Sequence, residues 1–269
     1  MPRIDLTARI ADGARLADDV EIGPYCIVGP QVELRAGVRL ISHVNVAGVT
    51  VIGERSIVAP FASLGTPPQS TKYRGGATRL VIGADCDIRE SVTMNTGTED
   101  DRGVTEVGDH CLLMVGSHVG HDCKVGSHVT FANNAGLGGH VTVGDFVVFG
   151  GHTAVRQFVR IGEGAMIVGM SGVRADVIPW GLAFGQLADL VGLNVVGMKR
   201  RGISRTDIHT LRRAYQMLFF GAGSFRERLD HLAANQNSPL VEQVITFIRA
   251  GGSRPLTMAV RHSGAAEGS

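Results

Sequence analysis

The sequence predicts an all-β chain, a parallel solenoid of six-residue repeats, followed by a C-terminal α-helical domain. Three observations carry this. Aliphatic residues recur at every sixth position through most of the chain up to Val173. Glycine is abundant, 37 of 269 residues, whereas aromatic residues make up only 5%. Beyond residue 203 the pattern changes to helical periodicity with capping signals. Apolar residues at 44% suffice for a core, but so few aromatics favour a repetitive backbone with small residues at its turns.

The repeat begins with Ile4, Ile10, Leu16, Ile22, Val28, Leu34, Leu40, Val46, Ile52, Val58 and Leu64. Eleven apolar terms in one register arise by chance with a probability of roughly 10⁻⁴. The register breaks at TPPQSTKYRGGATR, resumes at Ile82, Ile88 and Met94, and breaks again at NTGTEDDRGVTE. It then runs from Val107 to Val173. Glycine often follows the aliphatic residue, as at Gly23, Gly53 and Gly126, and a small or branched residue sits four positions after it. This pattern resembles the hexapeptide-repeat signature of left-handed parallel β-helices, in which three hexads form one triangular coil. The predicted solenoid spans residues 1–185, with loops at about 66–80 and 95–106.

Cys26, Cys86, Cys111 and Cys123 all occupy the small inward slot and read as core filler, since free cysteine packs as a small hydrophobe. With no CxxC spacing, neither a zinc ribbon nor a disulfide framework is expected. The C-terminal domain, 186–269, reads as about three helices. Ser204 and Ser224 open capping boxes, Ser238-Pro239 opens a third helix, and Gly251 closes it. The tail from Gly252 is small and polar enough to fray. A net charge of +1 gives no indication of nucleic acid as a partner. No signal-peptide pattern and no apolar run of about 20 residues appears, so a cytoplasmic chain with no integral membrane segment is expected.

The stretch GSHVGHDCKVGSHVTFANNAGLGGHV holds four of the ten histidines. Residues 18 apart are neighbours on one face of such a solenoid, so His121 shares a column with Gly139 and Gln157. Asp122 shares the next with His140 and Phe158. His118 and His128 point outward. Three readings remain open for this cluster: metal ligation, solvated surface histidines, and proton transfer. Imidazole titrates closest to neutral pH and can take and return a proton, with Asp122 adjacent to orient it. No serine or cysteine nucleophile accompanies it, which favours direct transfer over a covalent intermediate.

The segments IGPYCIVGP, KYRGGATR, IRESVTMNTGT, GHDCKVG, FANNAGLGGHV, GGHTAVRQF and NVVGMKRRGISR together resemble the UDP-N-acetylglucosamine 3-O-acyltransferases that begin lipid A synthesis. The likeness covers about residues 4 to 250. It implies a homotrimer with sites between adjacent β-helices. It also implies transfer of an R-3-hydroxyacyl chain from acyl carrier protein to the 3-position of the UDP-sugar. No metal and no cofactor is implied beyond the carrier's phosphopantetheine. By the same matching, His121 is the general base, Asp122 supports it, and the Gly139 amide stabilises the oxyanion. His118, His140, Gln69, Lys72, Asn194, Arg200 and Arg201 contact the sugar nucleotide. The basic segment KRRGISRTDIHTLRR would attract the acidic carrier.

Two departures stand beside the acceptor. Ser70 replaces the aspartate usual in the first loop, and Arg156 precedes Gln157 where histidine is usual. Both make the site more positive and raise the alternative of a 3-amino sugar acceptor. A zinc-dependent hydratase of the trimeric β-helix type is the alternative from another class, and a noncatalytic scaffold a third. Gly169 matches the position that sets acyl length and leaves room for a long chain, unless Met166 or Met170 shortens it.

Overall fold

Each hexad supplies one short strand, and three in succession complete a coil of a left-handed parallel β-helix. The computed structural model describes residues 1–235 and 237–260. Strands pair in parallel with the next coil, as in Arg3↔Glu21 and Ile4↔Ile22. They form three faces of eleven, nine and eight strands among the described residues. The first face begins with Arg3–Ile4, the second with Arg9–Ile10 and the third with Arg15–Leu16. Insertions at 67–78 and 96–103 lengthen two coils without disturbing the pairing: Ile82 still meets Ile52 on one side and Val107 on the other. Both insertions leave at the corner between the second and third faces.

The aliphatic series fills the lumen. From Ile22 to Val173 every member of the series is at most 4% exposed, whereas Ile4 on the open first coil is 41% exposed. Phe131 and Phe149 stack inside it with centroids 4.8 Å apart. Nearly all of this side-chain surface leaves water, and burial stabilises by about 25 cal/mol per Å². The four cysteines are free and buried. Cys86, Cys111 and Cys123 each donate an S–H to a carbonyl across the coil, at 3.2, 3.3 and 3.1 Å. On the outside of the first coils, Glu21 bridges Arg3 and Arg39 at 3.1 and 2.9 Å.

The solenoid continues past Val173, but its last coil is short. Ile161 bridges Val177, and Met166 pairs with Leu182, an offset of 16 in place of 18. The six-residue count is lost there while the parallel pairing survives. The strand Gly181–Phe184 then turns back antiparallel as Asp189–Leu193, so this hairpin straddles residue 185, where the sequence reading divides the chain.

Four helices follow among the described residues: α1 (Val195–Arg200), α2 (Arg205–Phe220), α3 (Phe225–Ala234) and α4 (Pro239–Arg249). Three match the helices read from the sequence. The short α1 lies in the KRRG region; it has six residues and no acidic first turn, and its Asn194 N-cap is its one capping signal. Ser224 completes its capping box with Glu227. Ser204 accepts from the Asp207 amide, but the reciprocal contact runs from the Ser204 hydroxyl to the Asp207 carboxylate. Leu211, Leu218 and Phe219 of α2 are buried, as are Leu232 of α3 and Val241 and Val244 of α4. Together they line a small apolar cavity between the helices.

The expectation of a frayed tail from Gly252 fails for residues 252–260. They return to the end of the solenoid, where Leu256 bridges Asp176 and Ala259 bridges Leu190. The Thr257 amide donates to Asp176 O at 2.8 Å, and Arg254 Nε donates to Gln157 O at 2.9 Å. Backbone pairing on an otherwise open strand edge outweighs the polar composition that suggested disorder. The remainder of that expectation, residues 261–269, lies outside the described residues.

Candidate active site

The corner between the second and third faces carries a column of non-glycine residues in the left-handed region: Asp122 (φ 59°), His140 (φ 63°) and Phe158 (φ 66°). Each αL residue directs its side chain outward; His140 N donates to His121 O at 2.8 Å and Phe158 N to Gly139 O at 3.2 Å, one coil below, while Asp122 N donates to Thr105 Oγ1 at 2.9 Å. Coil stacking therefore aligns these side chains. His140 lies flat on Phe158, centroids 4.3 Å apart and planes 4° from parallel. His121 meets His140 edge-on at 4.8 Å. Gly139 sits directly against the His121 ring: a Cβ there would lie 2.5 Å from Cε1 and 2.6 Å from Nε2. Among the described residues none accepts from the Gly139 N–H.

His121 and Asp122 are a buried dyad. His121 is 7% exposed and Asp122 2%, and Nδ1 stands 2.9 Å from Asp122 Oδ2. The carboxylate is gripped further by the second insertion, accepting from the Thr98 amide on both oxygens at 3.0 Å and from Thr98 Oγ1 at 2.6 Å. A carboxylate accepts only, so the Asp122 contact places a proton on Nδ1, and Nε2 is the ring nitrogen left to exchange one with a substrate. That is the arrangement of a general base.

The same insertion brings Asp101 to His140 Nδ1, and Arg74 of the first insertion donates its amide to Glu99 of the second at 2.7 Å. Thr98 and Asp101 were not found from sequence, because the insertion lies outside the hexad frame that places His118, His121, Asp122 and His140. His121, Asp122 and His140 bring three potential metal-ligand atoms within 4.8 Å of one another. Both Nδ1 atoms are engaged by carboxylates, and Asp122 is further engaged by Thr98. The contacts are those of a hydrogen-bonded network.

His118, on the strand His118–Val119, pairs its Nδ1 with Thr93 Oγ1 at 2.8 Å. Burial pushes its pKa below the ordinary histidine range, and the neighbouring His121 adds to this; the Thr93 contact acts the other way. The folded chain thus prefers neutral His118. The unfolded chain binds that proton first as pH falls, so this contribution is present at neutral pH and lost on acidification below the usual histidine pKa. Denaturant melts of wild type and His118→Asn should therefore diverge less at pH 5 than at pH 7.5.

The other expected site residues fall into three places. Exposed Gln69, half-buried Ser70 and exposed Lys72 lie on the first insertion, with the Lys72 amide 3.3 Å from Ser70 Oγ. Arg156 and Gln157 are exposed on the His121 corner, one coil beyond Gly139. Met166, Gly169 and Met170 lie on or beside the corner between the first and second faces, with Met170 69% exposed. Asn194, Arg200 and Arg201 lie by the corner between the third and first faces. Arg201 rests there over Phe146, 3.3 Å from the ring centroid, and ion-pairs with Glu163 at 3.2 Å. Asn194 caps α1 through the Gly197 amide at 2.9 Å and donates to Gly164 O at 2.9 Å. Within one chain, then, the His121 column and the Arg200–Arg201 pair occupy different corners of the prism. No described helix is long and apolar enough to cross a membrane.

Comparison with known proteins gives a consistent picture. A family model described as UDP-N-acetylglucosamine O-acyltransferase, domain 2, matches residues 176–257, and one described as bacterial transferase hexapeptide (six repeats) matches 105–139. An acyl-[acyl-carrier-protein]–UDP-N-acetylglucosamine O-acyltransferase of Azorhizobium caulinodans is 63% identical over 254 residues, covering 94% of each chain. The solved structure of LpxA from Acinetobacter baumannii is 40% identical with a TM-score of 0.91, covering 94% of this chain and 99% of that one. That of UDP-N-acetylglucosamine O-acyltransferase (LpxA) from Moraxella catarrhalis is 39% identical at the same TM-score and coverage.

Proposed function

Because the chain belongs to the acyl-[acyl-carrier-protein]–UDP-N-acetylglucosamine O-acyltransferase family, we propose that the His121 column is its active site, completed across a subunit boundary. The enzyme transfers an acyl group from acyl carrier protein to UDP-N-acetylglucosamine in lipid A biosynthesis. The relatives are named for O-acyl transfer, and neither the amide-forming nor the hydratase alternative is favoured.

The observation that carries the mechanism is the buried His121–Asp122 dyad, in which the carboxylate engages Nδ1 and leaves Nε2 as the ring nitrogen for proton exchange. His121 Nε2 takes the proton of the sugar 3-hydroxyl as its oxygen attacks the thioester carbonyl. A C–O bond forms, and the carbonyl oxygen becomes an anion that the Gly139 N–H meets. Collapse breaks the C–S bond, and imidazolium returns the proton to the departing phosphopantetheine sulfur. No covalent acyl-enzyme and no metal takes part. The donor is an R-3-hydroxyacyl carrier, and Gly169 keeps the path open to a long chain beside Met166 and Met170. Asp122 stabilises the imidazolium. His118, His140, Gln69, Ser70, Lys72, Arg156 and Gln157 line the acceptor side, and the basic face of α2 attracts the carrier. The reaction belongs to the cytoplasm, where the carrier resides.

The division of site residues between two corners supports a homotrimer in which Asn194, Arg200 and Arg201 of one subunit face the His121 column of the next. Mixing inactive His121→Ala chains with Arg201→Ala chains tests this. Random trimers regain about one intact site in four, read as recovered acyl transfer at low UDP-sugar, if sites are shared. A mixture no more active than its parents shows that each chain holds a whole site.

A further inference from the structure

Arg201 is not a loose surface arginine. Its Nη1 donates to Glu163 Oε1 at 3.2 Å, and its guanidinium lies over Phe146 and within 5.2 Å of the Trp180 ring centroid. The second oxygen of Glu163 accepts from Gln243 Nε2 at 2.6 Å, and Gln243 Oε1 accepts from the Trp180 indole N–H at 3.0 Å. Indole only donates and a carboxylate only accepts, so the orientation of the Gln243 amide is fixed by its partners. Trp180 is 2% exposed, which anchors the chain of contacts in the core. Phe146 is held in turn, stacked on His128 at 4.6 Å, which stacks on His110 at 4.7 Å. The backbone is fixed as well: the Arg201 amide donates to Gly197 O at 3.1 Å, at the end of the helix that Asn194 caps.

We infer that Glu163 and Gln243 are positioning residues that hold the Arg201 guanidinium ready for the diphosphate of the sugar nucleotide. The inference rests on the reading of Arg201 as a sugar-nucleotide contact. A long side chain ordinarily loses rotamer freedom when it binds, and one already held in place does not. Glu163 engages one edge of the fork and leaves other N–H donors for an anionic oxygen. The relay also ties this arginine to α4, so one helix of the C-terminal domain sets the pose of a residue at the end of another. His110, His128 and Phe146, which have no place in the reaction, acquire one here as the platform beneath the cation.

Glu163→Gln keeps the size of the side chain but cannot accept from both Arg201 and Gln243. It should raise the KM for UDP-N-acetylglucosamine about tenfold through lost preorganisation. It should leave kcat within about twofold, the KM for the acyl carrier unchanged and the melting temperature within about 2 °C. Gln243→Leu should raise the same KM less, by about threefold, since Glu163 remains. Adding Glu163→Gln to Arg201→Ala should cost nothing further, because the two act as one unit. A raised KM in Arg201→Ala beside an unchanged one in Glu163→Gln overturns the positioning role alone. A KM increase in Glu163→Gln that comes only with a lowered melting temperature and a raised carrier KM also overturns it. An unchanged KM in Arg201→Ala overturns both this inference and the reading of Arg201 beneath it.

Discussion

Replacing His121 with alanine lowers kcat for acyl transfer about 10³-fold while the fold persists, with the melting temperature moved by no more than about 3 °C. The activity loss follows from the missing base: the sugar hydroxyl must then give its proton to water as it attacks. The small stability change follows from position. His121 lies on a corner outside the aliphatic lumen, and Asp122 retains its three hydrogen bonds from Thr98 when the ring is gone. Steady-state kinetics with a 3-hydroxyacyl carrier and UDP-N-acetylglucosamine, beside a thermal melt, checks both halves. A loss below tenfold removes His121 from the role of base, and a large loss with a collapsed melt assigns it to structure.

Gly139→Ala gives the second large effect, about 10²-fold in kcat, through geometry and not through loss of a functional side chain. The new methyl would stand 2.5–2.9 Å from three atoms of the His121 ring. Either the imidazole leaves its place against Asp122 or the corner backbone shifts, and the amide facing the thioester oxygen moves with it. Gly136 supplies the control one strand earlier. Its added Cβ meets nothing nearer than His118 Cβ at 3.9 Å, so Gly136→Ala should retain activity within about twofold, space being available. Equal losses in the two variants would point to a general intolerance of the coil; a fully active Gly139→Ala would take the amide and ring contact out of the mechanism.

The fold is legible in this chain because its packing is one-dimensional. Each inward residue is specified by its neighbours six and 18 positions away, so a short count locates Cys123 in the lumen and His121 beside Gly139 with no tertiary knowledge. The count holds wherever the coil is regular, and it lapses where chain length no longer equals coil length. Thr98 and Asp101 belong to an insertion whose path depends on a carboxylate presented by a later coil. Nothing local in GTEDDRG indicates that partner. The short final coil, with its offset of 16, escaped for the same reason. The tail at 252–260 was misjudged because composition records hydrophobicity, while the vacant strand edge it pairs with is a property of the finished solenoid. The separation of Arg201 from His121 onto different corners is likewise a three-dimensional fact. Linear spacing places Arg201 80 positions beyond His121 and says nothing about which edge of the triangle it reaches.

The closed far end of the solenoid has a consequence for the behaviour of many molecules together. A parallel β-helix presents unpaired amides and unpaired carbonyls on each terminal coil, and these two surfaces complement each other. Left open, they would let molecules join end to end into a fibre, since head-to-tail contact has no geometric stop. Here the antiparallel turn at 181–193 and the returning segment 252–260 cover the far end, while the first coil stays open with Ile4 partly in solvent. Blocking one of two complementary ends is enough to prevent propagation. The chain can thus leave its first strands uncovered and still resist filament growth.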